Sequence, residues 1–176
     1  MIDSEKLLQI LKKNKINFYT GVPDSTLKNF TFILDNEKRI KHYSVYNEGS
    51  AVSLAIGNYL DTKTLPCVYM QNSGLSNAIN PLISIAHKKV YSIPCLLLIG
   101  WRGSPYLKSD EPQHNVKGKI TRDILKLLKI KNIILRNKKD FFKLNKLIKF
   151  AKKEKKTVAC LIENTTLKST LEKKKY

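Results

Sequence analysis

Long apolar runs are missing from this chain of 176 residues, and no stretch approaches the length needed to cross a bilayer. The amino terminus, MIDSEKLLQILKKNK, has amphipathic helix spacing rather than the charged, apolar and small-residue zones of a secretory signal. Cysteine is scarce. Cys67, Cys95 and Cys160 are odd in number and far apart, which argues against a disulfide or zinc framework and marks them as reduced core residues of a cytoplasmic protein. No GxGxxG follows the first strand-like segment and no GxxxxGK precedes a Ser or Thr, so dinucleotide and P-loop readings lose their main support. There is no GxSxG elbow and no HExxH.

Acidic residues are few, 14 against 33 basic ones, for a net charge of +19. Twenty of the basic residues and only five acidic ones lie in 117–176. Arginine, which dominates specific base contacts, is limited to Arg39, Arg102, Arg122 and Arg136. The lysines read as solvated helix faces, so no nucleic-acid partner and no membrane are expected. A non-catalytic basic binding module stays open as an alternative.

What the chain does have is regular alternation. Helical spacing at 4–14 places Leu7, Leu8 and Leu11 on one face, and further helices are expected at 25–35, 49–60, 75–87, 121–129 and 140–153. Short apolar strands fall between them, at 17–21, 42–46, 66–70, 94–99, 132–135 and 157–162. A long polar loop, 100–117, follows the fourth. Six strands alternating with helices predict an α/β fold: a doubly wound, mostly parallel six-stranded sheet with helices on both faces. One domain is expected over 1–165, followed by a Lys-rich tail or linker over 166–176.

In such a sheet ligands bind where the strands end. The first four exits read GVPDS (21–25), NEGS (47–50), QNSGLSN (71–77) and GWRG (100–103), each pairing glycine with polar side chains. Glu48 stands out, a carboxylate between an apolar strand and the small-residue run GSAVSLAIG. Taken alone it could equally decorate a helix amino terminus, where the dipole favours acids. Ser73 has no evident base in the sequence around it, so a nucleophilic role is not expected.

At these exits the chain resembles the pyrimidine-binding domain of thiamine-diphosphate decarboxylases, and most of all phosphonopyruvate decarboxylases. FYTGVPDSTLK, YNEGSAVSLAIGNYL, VYMQNSGLSNAINPL, YSIPCLLLIGWRG and DEPQH are similar to that family's segments, in order and at matching spacing, over about 3–125. The alpha chain of sulfopyruvate decarboxylase shares the NEG and QNSGL elements. The resemblance implies that Glu48 hydrogen-bonds the pyrimidine ring nitrogen of thiamine diphosphate and favours the imino tautomer that activates it. It implies a backbone wall at Gly21, Val22 and Pro23, and an aminopyrimidine pocket at Asn72, Ser73 and Gly74. Asp24 and Ser25 would face the substrate end, although Asp and Ser also suit a turn and N-cap. His114 resembles the loop histidine that related decarboxylases place near the reacting carbons, and it suits proton transfer near neutrality. Arg102 could receive a phosphonate or carboxylate, or pair with Asp110 or Glu111.

The family also needs a GDG-containing domain, which holds magnesium and the diphosphate through oxygen ligands. No GDG occurs here. The expectation is therefore an incomplete enzyme: an alpha subunit, or a truncated frame, whose site is shared with a GDG-containing beta partner that carries Mg2+ in a hetero-oligomer. Its substrate would be a small 2-keto acid, phosphonopyruvate first and sulfopyruvate as the alternative.

Overall fold

Buried side chains alternate along the strands between two separate cores, as a sheet covered on both faces requires. The computed structural model describes residues 1–168, so most of the expected tail, 169–176, lies outside the described residues. Its elements are β1 (Ile2–Asp3), α1 (Ser4–Lys13), β2 (Phe18–Gly21), α2 (Lys28–Asn36), β3 (Lys41–Ser44), α3 (Glu48–Thr62) and β4 (Cys67–Gln71). They continue with α4 (Leu75–Pro81), β5 (Leu96–Trp101), α5 (Pro112–Leu127), β6 (Lys131–Leu135), α6 (Asp140–Glu154), β7 (Val158–Glu163) and β8 (Leu167–Lys168).

Six parallel strands form the main sheet in the order β3-β2-β4-β5-β7-β6. The predicted doubly wound α/β sheet is therefore the observed one. Tyr19, Cys67, Tyr69, Leu96, Leu98 and Cys160 face α1, α2 and α6. Phe18, Val68, Met70, Leu97, Ile99 and Leu161 face the other way, toward α3, α4 and α5. Ala51 and Ala55 of α3 are fully buried, and their small side chains let that helix lie close to the strands. The three cysteines are buried free thiols, and burial pushes the Cys95 thiol up to about 12.

Two features depart from the sequence reading. Ile2–Asp3 pairs in parallel with Leu167–Lys168, so the chain is still ordered and hydrogen-bonded two residues beyond 166, where the tail was placed. A two-residue strand carries no periodicity to detect. The second departure is α5, which starts at Pro112 and not near 121. Gly118 hid it, because glycine in a helix interior reads as a breaker. Here a Cβ at Gly118 would run into the carbonyl of Gly103, and the Gly118 carbonyl accepts from Trp101 Nε1 at 2.9 Å. Tertiary packing requires the glycine. The overlooked start signal was Pro112 at the first helical position, where its fixed φ is favourable and its missing N–H costs nothing.

The far end of the carboxyl edge is closed by charge. Glu163, at the end of β7, accepts from Ser104 Oγ at 2.7 Å and from Arg136 Nε and Nη2 at 2.8 and 2.9 Å. The Arg136 and Ser104 hydrogen bonds hold its carboxyl below the usual range despite burial. Replacing Arg136 with Leu should strip the fork from this buried carboxylate and cost about 1–3 kcal/mol, read by urea denaturation. An unchanged midpoint would show that Ser104 and solvent suffice.

Candidate active site

Asn47 frees Glu48 for other work. The Asn47 side chain caps α3, accepting from the amides of Gly49 and Ser50 at 2.8 and 3.2 Å, so the helix does not need the next residue's carboxylate. Glu48 instead turns inward and is 9% exposed. Its Oε2 accepts from Asn77 Nδ2 at 2.8 Å. Its Oε1 lies over the bare face of Gly74, where any Cβ would collide with the carboxylate. The β3 and β4 exits are thus fitted together around one acid. A carboxylate buried there with one oxygen on a glycine floor can hold a proton at a fixed point.

The second carboxylate is built in the same way. Asp24 is buried, accepts from Gln71 Nε2 at 2.9 Å and from the Leu27 amide at 3.1 Å, and packs against bare Gly100. The turn reading of Asp24 is therefore seen at Oδ2, while Oδ1 is held by Gln71. Gln71, which the sequence did not single out, also accepts from Ser73 Oγ at 2.7 Å. Ser73 thus has an amide oxygen as partner rather than a base. Gly21 is buried, Val22 half-buried and Pro23 exposed. The Val22 amide reaches back to the Tyr69 carbonyl at 3.3 Å.

Asn72 and Arg102 are both engaged by groups of the protein itself. Asn72 is a brace: its Nδ2 donates to the Arg102 carbonyl and to Thr121 Oγ1 at 3.1 and 2.9 Å, and its Oδ1 accepts from the Arg102 amide at 3.1 Å. Its side-chain amide joins the β4 exit to β5 and α5, with both polar atoms engaged. Arg102 takes the second of its two readings. Nε and Nη2 both reach Asp110 at 2.6 Å, and only Nη1 points elsewhere, to Ser25 Oγ at 3.4 Å. The bidentate guanidinium, helped by the Gly103 and Glu111 amides, holds the Asp110 carboxyl far below the usual carboxylate range.

A group with a depressed pKa contributes stability above its unfolded value and loses it as pH falls through the folded one. The loop over 103–111 should therefore stay clamped through mildly acidic pH, while Asp110→Asn should loosen it at every pH. Faster hydrogen exchange at the Gly103 and Glu111 amides in the variant would be the sign, and equal exchange would refute it.

His114 lies on the first turn of α5 and not in a loop, with its backbone carbonyl against Gly103. Its Nδ1 is buried without a hydrogen-bond partner. Asn77, the partner of Glu48, could have been suspected from its place three residues after Gly74, one helical turn along the same face. Thr121 could not, because it meets Asn72 only through the fold.

An apolar pocket of about 190 Å³ near Leu82, Ala86, Leu128 and Ile130 lies at the opposite, amino-terminal edge of the sheet. Its rim lysines, among them Lys88, Lys129 and Lys156, follow helix carboxyl ends, where the dipole favours cations. Among the described residues no helix is long and apolar enough to cross a membrane.

Comparison with known proteins shows the family. Residues 4–126 match the model of the thiamine pyrophosphate enzyme N-terminal TPP binding domain. Phosphonopyruvate decarboxylase of Streptomyces hygroscopicus is 35% identical over 127 residues, covering 72% of this chain and 31% of that protein. This chain thus spans about a third of the length of that relative. Sulfopyruvate decarboxylase subunit alpha of Methanocaldococcus jannaschii is 34% identical over 151 residues, covering 86% of this chain and 85% of that one. Benzoylformate decarboxylase of Polynucleobacter necessarius superposes with a TM-score of 0.72 at 18% identity, over 92% of this chain and 29% of that one. The matched segment contains all four strand exits, Glu48 and Gly74 among them, and the chain belongs to the thiamine pyrophosphate enzymes as an N-terminal TPP-binding domain.

Proposed function

We propose that this chain supplies the cofactor-activating half of a thiamine-diphosphate-dependent 2-keto acid decarboxylase and works with a GDG-containing partner that brings the diphosphate and Mg2+ site. The observation that carries this is Glu48, released from capping by Asn47, buried, and held by Asn77 over a glycine floor. That arrangement fits a flat, nitrogen-bearing ring, because one carboxylate oxygen is anchored and the neighbouring surface is bare. Thiamine diphosphate, when bound, supplies the nucleophilic carbon and the electron sink for loss of carbon dioxide.

The chain's own residues do the rest. Glu48 holds a proton at the pyrimidine ring nitrogen, Gly21, Val22 and Pro23 form the backbone wall, and Ser73 and Gly74 lie beneath. Asp24, oriented by Gln71, faces the reacting end. Ser25 and the Nη1 edge of Arg102 that reaches it face the substrate's anionic tail, and His114 serves as a proton-transfer group. The partner covers the Glu48 side, where Tyr46, Leu54 and Ile83 stand exposed around the helices α3 and α4.

Phosphonopyruvate, giving phosphonoacetaldehyde and carbon dioxide, is the first substrate to try. Sulfopyruvate is the second reading, favoured by the long match to an alpha subunit. The test is to assemble the chain with such a partner, thiamine diphosphate and Mg2+ and to follow carbon dioxide from each substrate. Faster turnover of sulfopyruvate would reverse the order. No turnover of either, together with salt-dependent retention on nucleic acid, would support a basic binding module instead.

A further inference from the structure

His42 looks ordinary in the sequence, yet it is the centre of a continuous hydrogen-bonded chain. Asp35 Oδ1 on α2 lies 3.0 Å from His42 Nδ1. His42 Nε2 lies 2.8 Å from the Tyr69 hydroxyl on β4, and that hydroxyl lies 3.0 Å from Ser44 Oγ. His42 and Ser44 are both on β3, two strands away from Tyr69, with β2 between them. The tyrosine reaches across because Gly21 has no side chain: a Cβ there would meet the Tyr69 ring at 2.6 and 2.7 Å. The middle of the chain is dry and its ends are wet. The Tyr69 residue is fully buried and the His42 side chain is 8% exposed, whereas the Asp35 side chain is 64% exposed and Ser44 is open to solvent.

Ser44 also has a meaningful position. It is the last residue of β3, opposite Gly21 in the register, at the same sheet edge as the turn at Gly21, Val22 and Pro23. We propose that Asp35, His42, Tyr69 and Ser44 form a proton relay that joins bulk solvent to this edge and delivers the proton that decarboxylation consumes. A 2-keto acid anion that loses carbon dioxide must gain one proton to become the aldehyde.

In that direction Ser44 releases its hydroxyl proton to the cleft and takes the one on Tyr69. Solvent first protonates the Nε2–H tautomer of His42 at Nδ1 beside Asp35, and the imidazolium passes its Nε2 proton to Tyr69. His42 is left as the Nδ1–H tautomer, which exchanges that proton with solvent and regains one at Nε2 before the next cycle. Each O–H or N–H bond broken is matched by one formed, with no change in oxidation state. The groups facing the imidazole are Asp35 from α2 and the Tyr69 hydroxyl from β4. Burial lowers the His42 pKa and Asp35 opposes that fall. Delivery therefore weakens as pH rises through the lowered value, since it needs the imidazolium.

The use of the proton rests on the decarboxylase reading; the relay itself does not, and two measurements separate them. In the chain alone, nitrogen-15 NMR should show His42 titrating below the ordinary histidine range. Asp35→Asn should lower that titration further, and Tyr69→Phe, which keeps the ring, should change the Nε2 shift. Identical His42 signals in wild type and Tyr69→Phe would overturn the relay, whatever the enzyme does. In the assembled enzyme, Ser44→Ala and Tyr69→Phe should each lower kcat about tenfold or more, leave KM unchanged and remove the His42 limb from the kcat–pH profile. Ser44 is exposed on an edge strand, so its alanine variant is expected to fold. A retained limb would overturn the relay's role, and an inactive wild-type assembly with intact NMR coupling would instead count against the decarboxylase reading.

Discussion

Glu48→Gln should fold as the wild type does and lose most of the activity of the assembled enzyme, by about a hundredfold or more in kcat. The amide keeps the volume and can still accept from Asn77 through its oxygen, so packing around α3 is preserved. What it removes is a group that can share a proton with a ring nitrogen. The loss should fall on kcat and on cofactor activation, visible as slower exchange of the thiazolium proton for deuterium in the assembled complex. Thermal unfolding of the chain alone should move little. Full activity in this variant would end the assignment of Glu48.

Gly74→Ala should also cost much activity, although it replaces no catalytic side chain. Gly74 has φ −82 and ψ −6, which any residue adopts, so the backbone does not object to alanine. The objection is steric. The new methyl would overlap Glu48 Oε1 and the carboxyl carbon behind it, and its closest approach is to the part of the side chain that must be placed. Either the carboxylate leaves Asn77 or the turn after β4 shifts. Overpacking of this sort costs about 1–3 kcal/mol, a modest loss of stability read by denaturation. Activity should fall at least tenfold, because a small misplacement of a catalytic group is expensive. An active Gly74→Ala enzyme would mean that the space above Gly74 is not used by the cofactor.

These variants also show which parts of the site could be read early. Glu48, Gly74 and the GVPDS turn stand out locally, each as a strand exit with glycine in one short segment, whereas the seating of Glu48 over Gly74 is a tertiary contact. His114 was placed correctly in the chain and wrongly in the structure, because a helix containing Gly118 does not look like a helix until Gly103 is packed against it. The resemblance implies a pocket role for Asn72, and Arg102 suits either an anionic ligand or an ion pair with Asp110 or Glu111. Which partner each one takes depends on segments 30–49 residues away for Asn72 and on a loop acid whose position only the fold sets for Arg102.

The sequence by itself determined the class of fold, and its polar, glycine-bearing strand exits pointed to the edge at which we place the proposed site. Those follow from periodicity and from turn chemistry, which act over a few residues. Only the tertiary structure decided where polar side chains find their partners: Asn77 on Glu48, Gln71 on Asp24, Asp110 on Arg102, and the line from Asp35 through His42 and Tyr69 to Ser44. The physical reason is that a buried polar group must be satisfied by whatever the packing brings within about 3 Å, and packing is a property of the whole chain.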